Sequence, residues 1–358
     1  MAVLNATPGD ISLIVGRALP GDTITLGQGT YTAFPQKAGV TYQAYDWAPG
    51  RAITGTTGYL GGGFGVRVTT PLNLNQPGMV LRGIHHDTRG LGTINAGVLT
   101  ASNITLEDHV LTARRTDGGR MIGYTFGSGA IRVSGIRFLR PRLNRVGKVN
   151  EQGDHALYMK NCTGCLIEDP ILHDAGRFPI HFYPNADNNE VVRPVVWGSM
   201  GAVVFSGAND PSTGVAAGAS ENNTVRNGIL GNGTYARGYL IESQWDGVAP
   251  GAGNRVVDTN VTVAGGSAGR IEPGLTGVTL TGLVDLDPGF RNPANGDFTR
   301  TGTYDGYGPP QLFGSVTPPP PPPPPHTEDH RDVLLRALKT DPIGLRAQVD
   351  EALLRFPN

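Results

Sequence analysis

The sequence predicts an all-β solenoid, a single-stranded parallel β-helix, on three observations. One pattern of residues recurs as HALYMKN (155–161), PIHFYPN (179–185) and AVVFSGA (202–208), and aligning Leu157, Ile180 and Val203 gives a step of 23 residues. A period in that range marks a solenoid or array. Within each pass apolar residues fall at i and i+2, as Leu157 with Met159, Ile180 with Phe182 and Val203 with Phe205. That is the period of a strand with one buried face. Finally, 53 glycines and 28 prolines in 358 residues exceed the usual share, enough to place a turn between every pair of short strands. No coil of this kind buries its apolar side alone; each is stabilised by its neighbours.

Taken in order, residues 1–19 are expected to cap the amino-terminal end. DISLIVGRAL (10–19) has apolar residues at 11, 14, 15, 18 and 19, a helical spacing, and Pro20-Gly21 ends it. The β-helix is expected over 20–315. It starts with PGDTITLGQGTYT (20–32), and its coils include GMVLRGIHH (78–86), SNITLEDHVL (102–111), AIRVSGIRFLRP (130–141), GYLIESQ (238–244), GNRVVDTNVTV (253–263) and TGVTLTGLVDL (276–286). Between the core passes lie second strands, CLIEDPIL (165–172), EVVRPVVW (190–197) and NTVRNGIL (223–230). The stretch 207–220 reads as an insertion, since Val203 to Tyr239 is longer than one coil.

PGDTITLGQGTY (20–31), followed by GVTYQAYDWAPGRAITG (39–55), resembles the opening coils of the pectate-lyase-like right-handed β-helix superfamily, most nearly its phage tail and tailspike type. DPGFRNPANGDF (287–298) resembles a closing segment of the same superfamily. The resemblance implies a right-handed helix whose exposed strand face meets a polymer. Fold and function are separable, so chemistry has to be read from residues.

After Gln311 the composition changes. Residues 316–325 form a linker, and the eight prolines at 318–325 adopt polyproline II, a stiff spacer of roughly 25 Å. Residues 326–358 read as two short helices. The first carries Val333, Leu334 and Leu338; the second opens at Asp341-Pro342 and carries Leu345, Val349, Leu353 and Phe356. Helices this short bury little alone, so the tail is expected to dock on another subunit, with packing on the β-helix side as the alternative. Cys162 and Cys165 form one C-x-x-C across a turn; they read as small column residues, against a redox or metal role.

Charged residues make up 16% of the chain and the net charge is −1, which argues against a nucleic-acid binder or a polybasic membrane protein. No apolar run is long enough for a membrane span, and no signal peptide is apparent at the start. The outward set expected on the core coils is Asp154, His155, Tyr158, Lys160, His181 and Tyr183, with His173, Asp174 and Arg177 on the intervening turn. Stacked aromatic and imidazole rings give a sugar a flat apolar surface with hydrogen-bonding edges, so Asp154, His155, Tyr158, Lys160, His173, His181 and Tyr183 are the carbohydrate-binding candidates. Tyr158, His181 and Arg177 are the candidates for β-elimination, and plain surface is the bland alternative. Asp154, Asp174, Glu242 and Asp246 are candidate acids for a glycosidase. His85 and His86 are adjacent on one strand and point to opposite faces, so no metal site is expected; nor is a cofactor.

Two functions follow as expectations. One is a bacteriophage virion component, a tail appendage or minor tail protein made in the host cytoplasm. It would bind host cell-surface polysaccharide and attach to other virion subunits through 326–358, with a homotrimer as one assembly. The alternative is a polysaccharide lyase or glycoside hydrolase acting on an extended polymer, with binding favoured over catalysis.

Overall fold

A computed structural model describes residues 1–50, 52, 65–92, 94–114, 121–147, 153–208, 218–236, 238–244, 247–263 and 265–313. Asp246, most of the insertion (209–217), the polyproline linker and the docking residues Val333, Leu334, Leu338, Leu345, Val349, Leu353 and Phe356 lie outside the described residues. The described residues belong to the unit Met1–Ser315.

Three sheets of eleven, nine and eight strands carry this unit, and all their strand pairs are parallel. Each central coil gives one strand to each sheet. Leu166–Glu168 lies in the first, Ile171–His173 in the second and Ile180–Phe182 in the third, before the chain returns to the first at Glu190–Val192. This is the parallel β-helix that the repeat predicts, and strand twist favours right-handed crossovers in such connections. Leu157, Ile180 and Val203 are register partners and fully buried, as are Met159, Phe182 and Phe205. Phe182 and Phe205 stack with ring centroids 4.9 Å apart.

The turn from first to second sheet is two residues long. Its first residue is left-handed, at Asp108, Arg140, Asp169, Arg193, Asn227 and Asp258, with φ between 45° and 55°. Asp and Asn tolerate that region better than most residues. The Arg residues there are held by ion pairs, Arg193 to Glu168 and Asp169, and Arg140 to Glu107 and Asp108. Where the first-sheet strands begin, the buried amides Asn189, Asn223 and Asn254 form a ladder, Asn189 Nδ2 donating to Asn223 Oδ1 and Asn223 Nδ2 to Asn254 Oδ1, each at 2.9 Å. Asn189 Oδ1 in turn accepts from the Cys165 backbone N–H. Both thiols are free and buried, Cys162 between its register partners Val133 and Ala186, so the pair fills interior columns.

Two features differ from expectation. The chain opens on a strand, Val3–Ala6, which pairs with Thr23–Leu26 and starts the first sheet; the helix follows at Ile11–Arg17 and buries Ile11 and Val15. The segment after residue 286 leaves the coil path. It forms an antiparallel hairpin, Phe290–Asn292 with Asp297–Arg300, and lies on the outward side of the second sheet. There Phe298, Leu312 and Phe313 pack on Ile171, Val195, Trp197 and Ile229. The sequence lets this happen because those strands (ILH, VVW, ILG) are apolar on both faces.

Candidate functional site

The third sheet carries most of the candidate residues. Its strands His155–Met159, Ile180–Phe182, Val203–Phe205 and Tyr239–Ser243 stack in register, which puts Tyr158, His181, Val204 and Glu242 in one outward column. The rings there form a ladder. Tyr158 stacks on His155 at 5.3 Å and on Tyr183 at 5.4 Å, while His181 meets Tyr158 and Tyr183 edge-on at 5.2 and 5.0 Å. Lys160 Nζ lies 5.7 Å from the Tyr158 ring centre.

A directed hydrogen-bond chain holds the imidazoles. The Phe178 carbonyl only accepts, so His155 carries its proton on Nδ1 (3.1 Å). Its Nε2 accepts from His181 Nδ1–H at 3.3 Å, and His181 Nε2 accepts from the Ser206 hydroxyl at 3.1 Å. Burial, then the neighbouring His155 and Arg177, holds the His181 pKa well below its ordinary value. The neutral His181 ring this chain requires is therefore the stable form. Both nitrogens of His181 are engaged inside the ladder.

Arg177 reaches along the column to Glu242, Nη2 to Oε2 at 3.2 Å, and its guanidinium lies over Phe178 and Tyr235. Burial raises the Glu242 pKa, partly offset by the Tyr239 N–H and Arg177, and Glu272 adds to the rise. Burial lowers that of Lys160. Glu272 was not singled out from sequence. Its N–H donates to Ile241 O at 3.0 Å, which continues the ladder and sets it beside Glu242. Its Oε2 accepts from Ser243 N–H (2.7 Å) and Oγ–H (3.0 Å). The step from Glu242 to Glu272 exceeds the 23-residue repeat, so periodicity alone could not align them.

The expected set therefore divides. His155, Tyr158, Lys160, His181 and Tyr183 come together, with Arg177 beside them. Asp154 and His173 do not join. Asp154 is fully buried in a turn, accepts from the Met121 N–H, and packs so close to Gly147 and Gly176 that a Cβ on either would collide with it. His173 lies on the second sheet with its ring 4.9 Å from Phe298, and Asp174 is 3.4 Å from its Nε2. The open wall that alternation implied is also more covered than expected: His155, His181, Tyr183 and Glu242 are buried, and Tyr158, Lys160 and Arg177 are half-buried. His85 and His86 do point to opposite faces, His85 toward the Thr112 hydroxyl and His86 inward to Tyr124.

No family model and no curated protein matches the chain. Solved structures do. A PL6-family polysaccharide lyase from Pseudopedobacter saltans aligns at 10% identity over 84% of this chain and 96% of its own, with a TM-score of 0.36. The Dettilon tailspike protein aligns at 10% identity over 78% of this chain and 58% of its own, at 0.42. The periplasmic alginate epimerase AlgG aligns at 10% identity over 80% and 73%, at 0.35.

Proposed function

We propose that the chain binds an extended polysaccharide along the outward face of its third sheet. The observation that carries this reading is the Tyr158–Tyr183 stack on consecutive coils, edged by Lys160, Arg177 and Glu242. Of these, the half-buried Tyr158 offers its ring edge and hydroxyl to a pyranose, and the half-buried Lys160 and Arg177 beside it can hydrogen-bond the sugar hydroxyls. The finer reading proposed with it is a bacteriophage tail component located in the virion, contacting host cell-surface polysaccharide and other virion subunits through 326–358. It is supported by the stiff proline spacer and the amphipathic spacing beyond it. Mass spectrometry of purified particles tests it, and a chain lacking 316–358 that still enters particles would refute the anchoring role.

A second reading, cleavage of the bound polymer, is favoured by one observation. Glu242 and Glu272 are neighbours on adjacent coils, whose strands lie about 4.8 Å apart, and a glycosidase needs such a pair of carboxyl groups flanking the bond it cuts. One experiment addresses both readings. Against a panel of bacterial surface polysaccharides, the wild-type chain should bind at least one, and Tyr158→Ala should weaken that binding about tenfold. New reducing ends in the same mixtures would indicate hydrolysis, and absorbance near the ~235 nm band of unsaturated uronates would indicate elimination. Retention of full affinity by Tyr158→Ala would remove the ladder from the site.

A further inference from the structure

A second charged group sits on the second sheet, on the stretch ahead of the carboxy-terminal hairpin. Asp87 ends the strand His85–Asp87 and its side chain is 1% exposed. Arg89 grips it with two side-chain bonds, Nε to Oδ1 at 2.9 Å and Nη2 to Oδ2 at 2.7 Å. Arg67, from the neighbouring strand Val66–Val68, adds Nη2 to Oδ2 at 2.7 Å. Burial pushes the Asp87 carboxyl up, but hydrogen bonds from the Arg89 side chain and backbone outweigh it and hold the group at about 2.

One bidentate guanidinium already neutralises a carboxylate, so the second is surplus charge. The exposures show where that surplus lies: the arginine side chains are 46% and 43% exposed, against 1% for the carboxylate between them. The remaining guanidinium N–H groups therefore face outward from a fixed base. His85 alongside adds no charge near neutral pH, since burial lowers it to about 4. Arg114 on the next coil accepts the Gly90 N–H at its carbonyl, while its Nε points on to the Gly147 carbonyl, so the surplus charge rests with Arg67 and Arg89.

We propose that Arg67 and Arg89, fixed by Asp87, form an anion clamp for an acidic polysaccharide, gripping its carboxylate or sulfate groups. Guanidinium forks match such oxyanions bidentately, and anchoring them beforehand reduces the side-chain entropy lost on binding. A polysaccharide fits better than nucleic acid because the cations are a local cluster rather than a stripe, on a chain of net charge −1. The clamp is independent of the third-sheet site and does not rest on it.

The test is affinity electrophoresis of the full chain through gels containing alginate, dextran sulfate or neutral dextran, with duplex DNA as a competitor. Retardation should appear with alginate or dextran sulfate, weaken with added salt and be absent with dextran. Arg67→Gln leaves Asp87 paired to Arg89, so the fold is kept, and it should weaken retention about fivefold or more. Arg67→Lys, which keeps the charge but loses the fork, should fall between. Arg255→Gln, the same charge change at an exposed first-sheet site, should leave retention unchanged. Equal retention of wild type and Arg67→Gln, no retention on either acidic polymer, or displacement by DNA at equal phosphate concentration would each overturn the proposal.

Discussion

Deep inside the stack, the Tyr124 hydroxyl sits between two imidazoles, 2.9 Å from His86 Nδ1 and 2.5 Å from His109 Nε2. His86 Nε2 faces the Thr70 carbonyl at 2.9 Å and must carry the proton, so Tyr124 donates to His86 Nδ1 and accepts from His109 Nε2–H. One atom, His109 Nδ1, is left as an acceptor without a donor, the less costly way to leave a buried imidazole short. Room for the tyrosine ring comes from Gly97, its register partner, where a Cβ would stand 2.3 Å from Cε1. Tyr124→Phe keeps the ring and strands the other two groups. It should cost about 3 kcal/mol in urea unfolding, since each buried unsatisfied polar group costs about 1–3 kcal/mol; a loss under about 1 kcal/mol would mean the imidazoles find other partners. Little of this is readable from sequence. IGYTF marks Tyr124 as an inward residue of a strand, but its partners lie 38 and 15 residues away, His86 on the second sheet and His109 in a turn, and uneven coils hide such pairings.

Among the elements, the carboxy-terminal hairpin shows what alternation can and cannot tell. The core passes alternate and were legible as strands with one face inside. The second-sheet strands do not alternate, and a strand apolar on both faces signals cover on both. That signal marks Ile171, Val195 and Ile229 as residues beneath another element, yet it does not say which element covers them. DPGFRNPANGDF was legible as a closing segment, while its place over His173 depends on the chain turning back outside the coil. Phe298 is the key contact, 2% exposed, with its ring 4.9 Å from His173 and 5.1 Å from Phe290. Phe298→Ala should destabilise by about 3–4 kcal/mol through lost burial and the cavity left. It should also admit water to His173, whose pKa is now about 3 because of burial, then Arg142 and Arg145. NMR titration should therefore find the His173 pKa moved up toward its ordinary value, and an unmoved value would show that the two arginines set it instead of burial.

At the scale of the whole molecule, stacking coils hides many imidazoles, and this gives the fold a definite acid response. Burial is the leading cause in five lowered histidine pKa values: His85 and His86 at about 4, His173 at about 3, and His109 and His181 well below the ordinary value. In the unfolded chain each returns to about 6.5. Below that value the unfolded state binds protons that the folded state refuses, so the stability these groups give is complete above pH 6.5 and lost as pH falls toward their folded values. The slope reaches about 1.4 kcal/mol per pH unit for each group. Three buried carboxyls oppose this. Asp108, Asp169 and Glu242 are raised, so they favour the folded state at low pH and lose that contribution as pH rises through their folded values. Asp87, lowered, gives stability above its unfolded value that is lost as pH falls toward about 2. Five histidines outnumber three raised carboxyls, so the net effect near pH 6 belongs to the imidazoles. The urea midpoint should be flat from pH 8 to 7 and fall between about 6.5 and 5, with unfolding coupled to uptake of about two protons or more. A midpoint unchanged between pH 7.5 and 5 would mean that the buried imidazoles titrate together in both states, and the neutral networks around Tyr124 and His181 would then not be the form that holds the coils together.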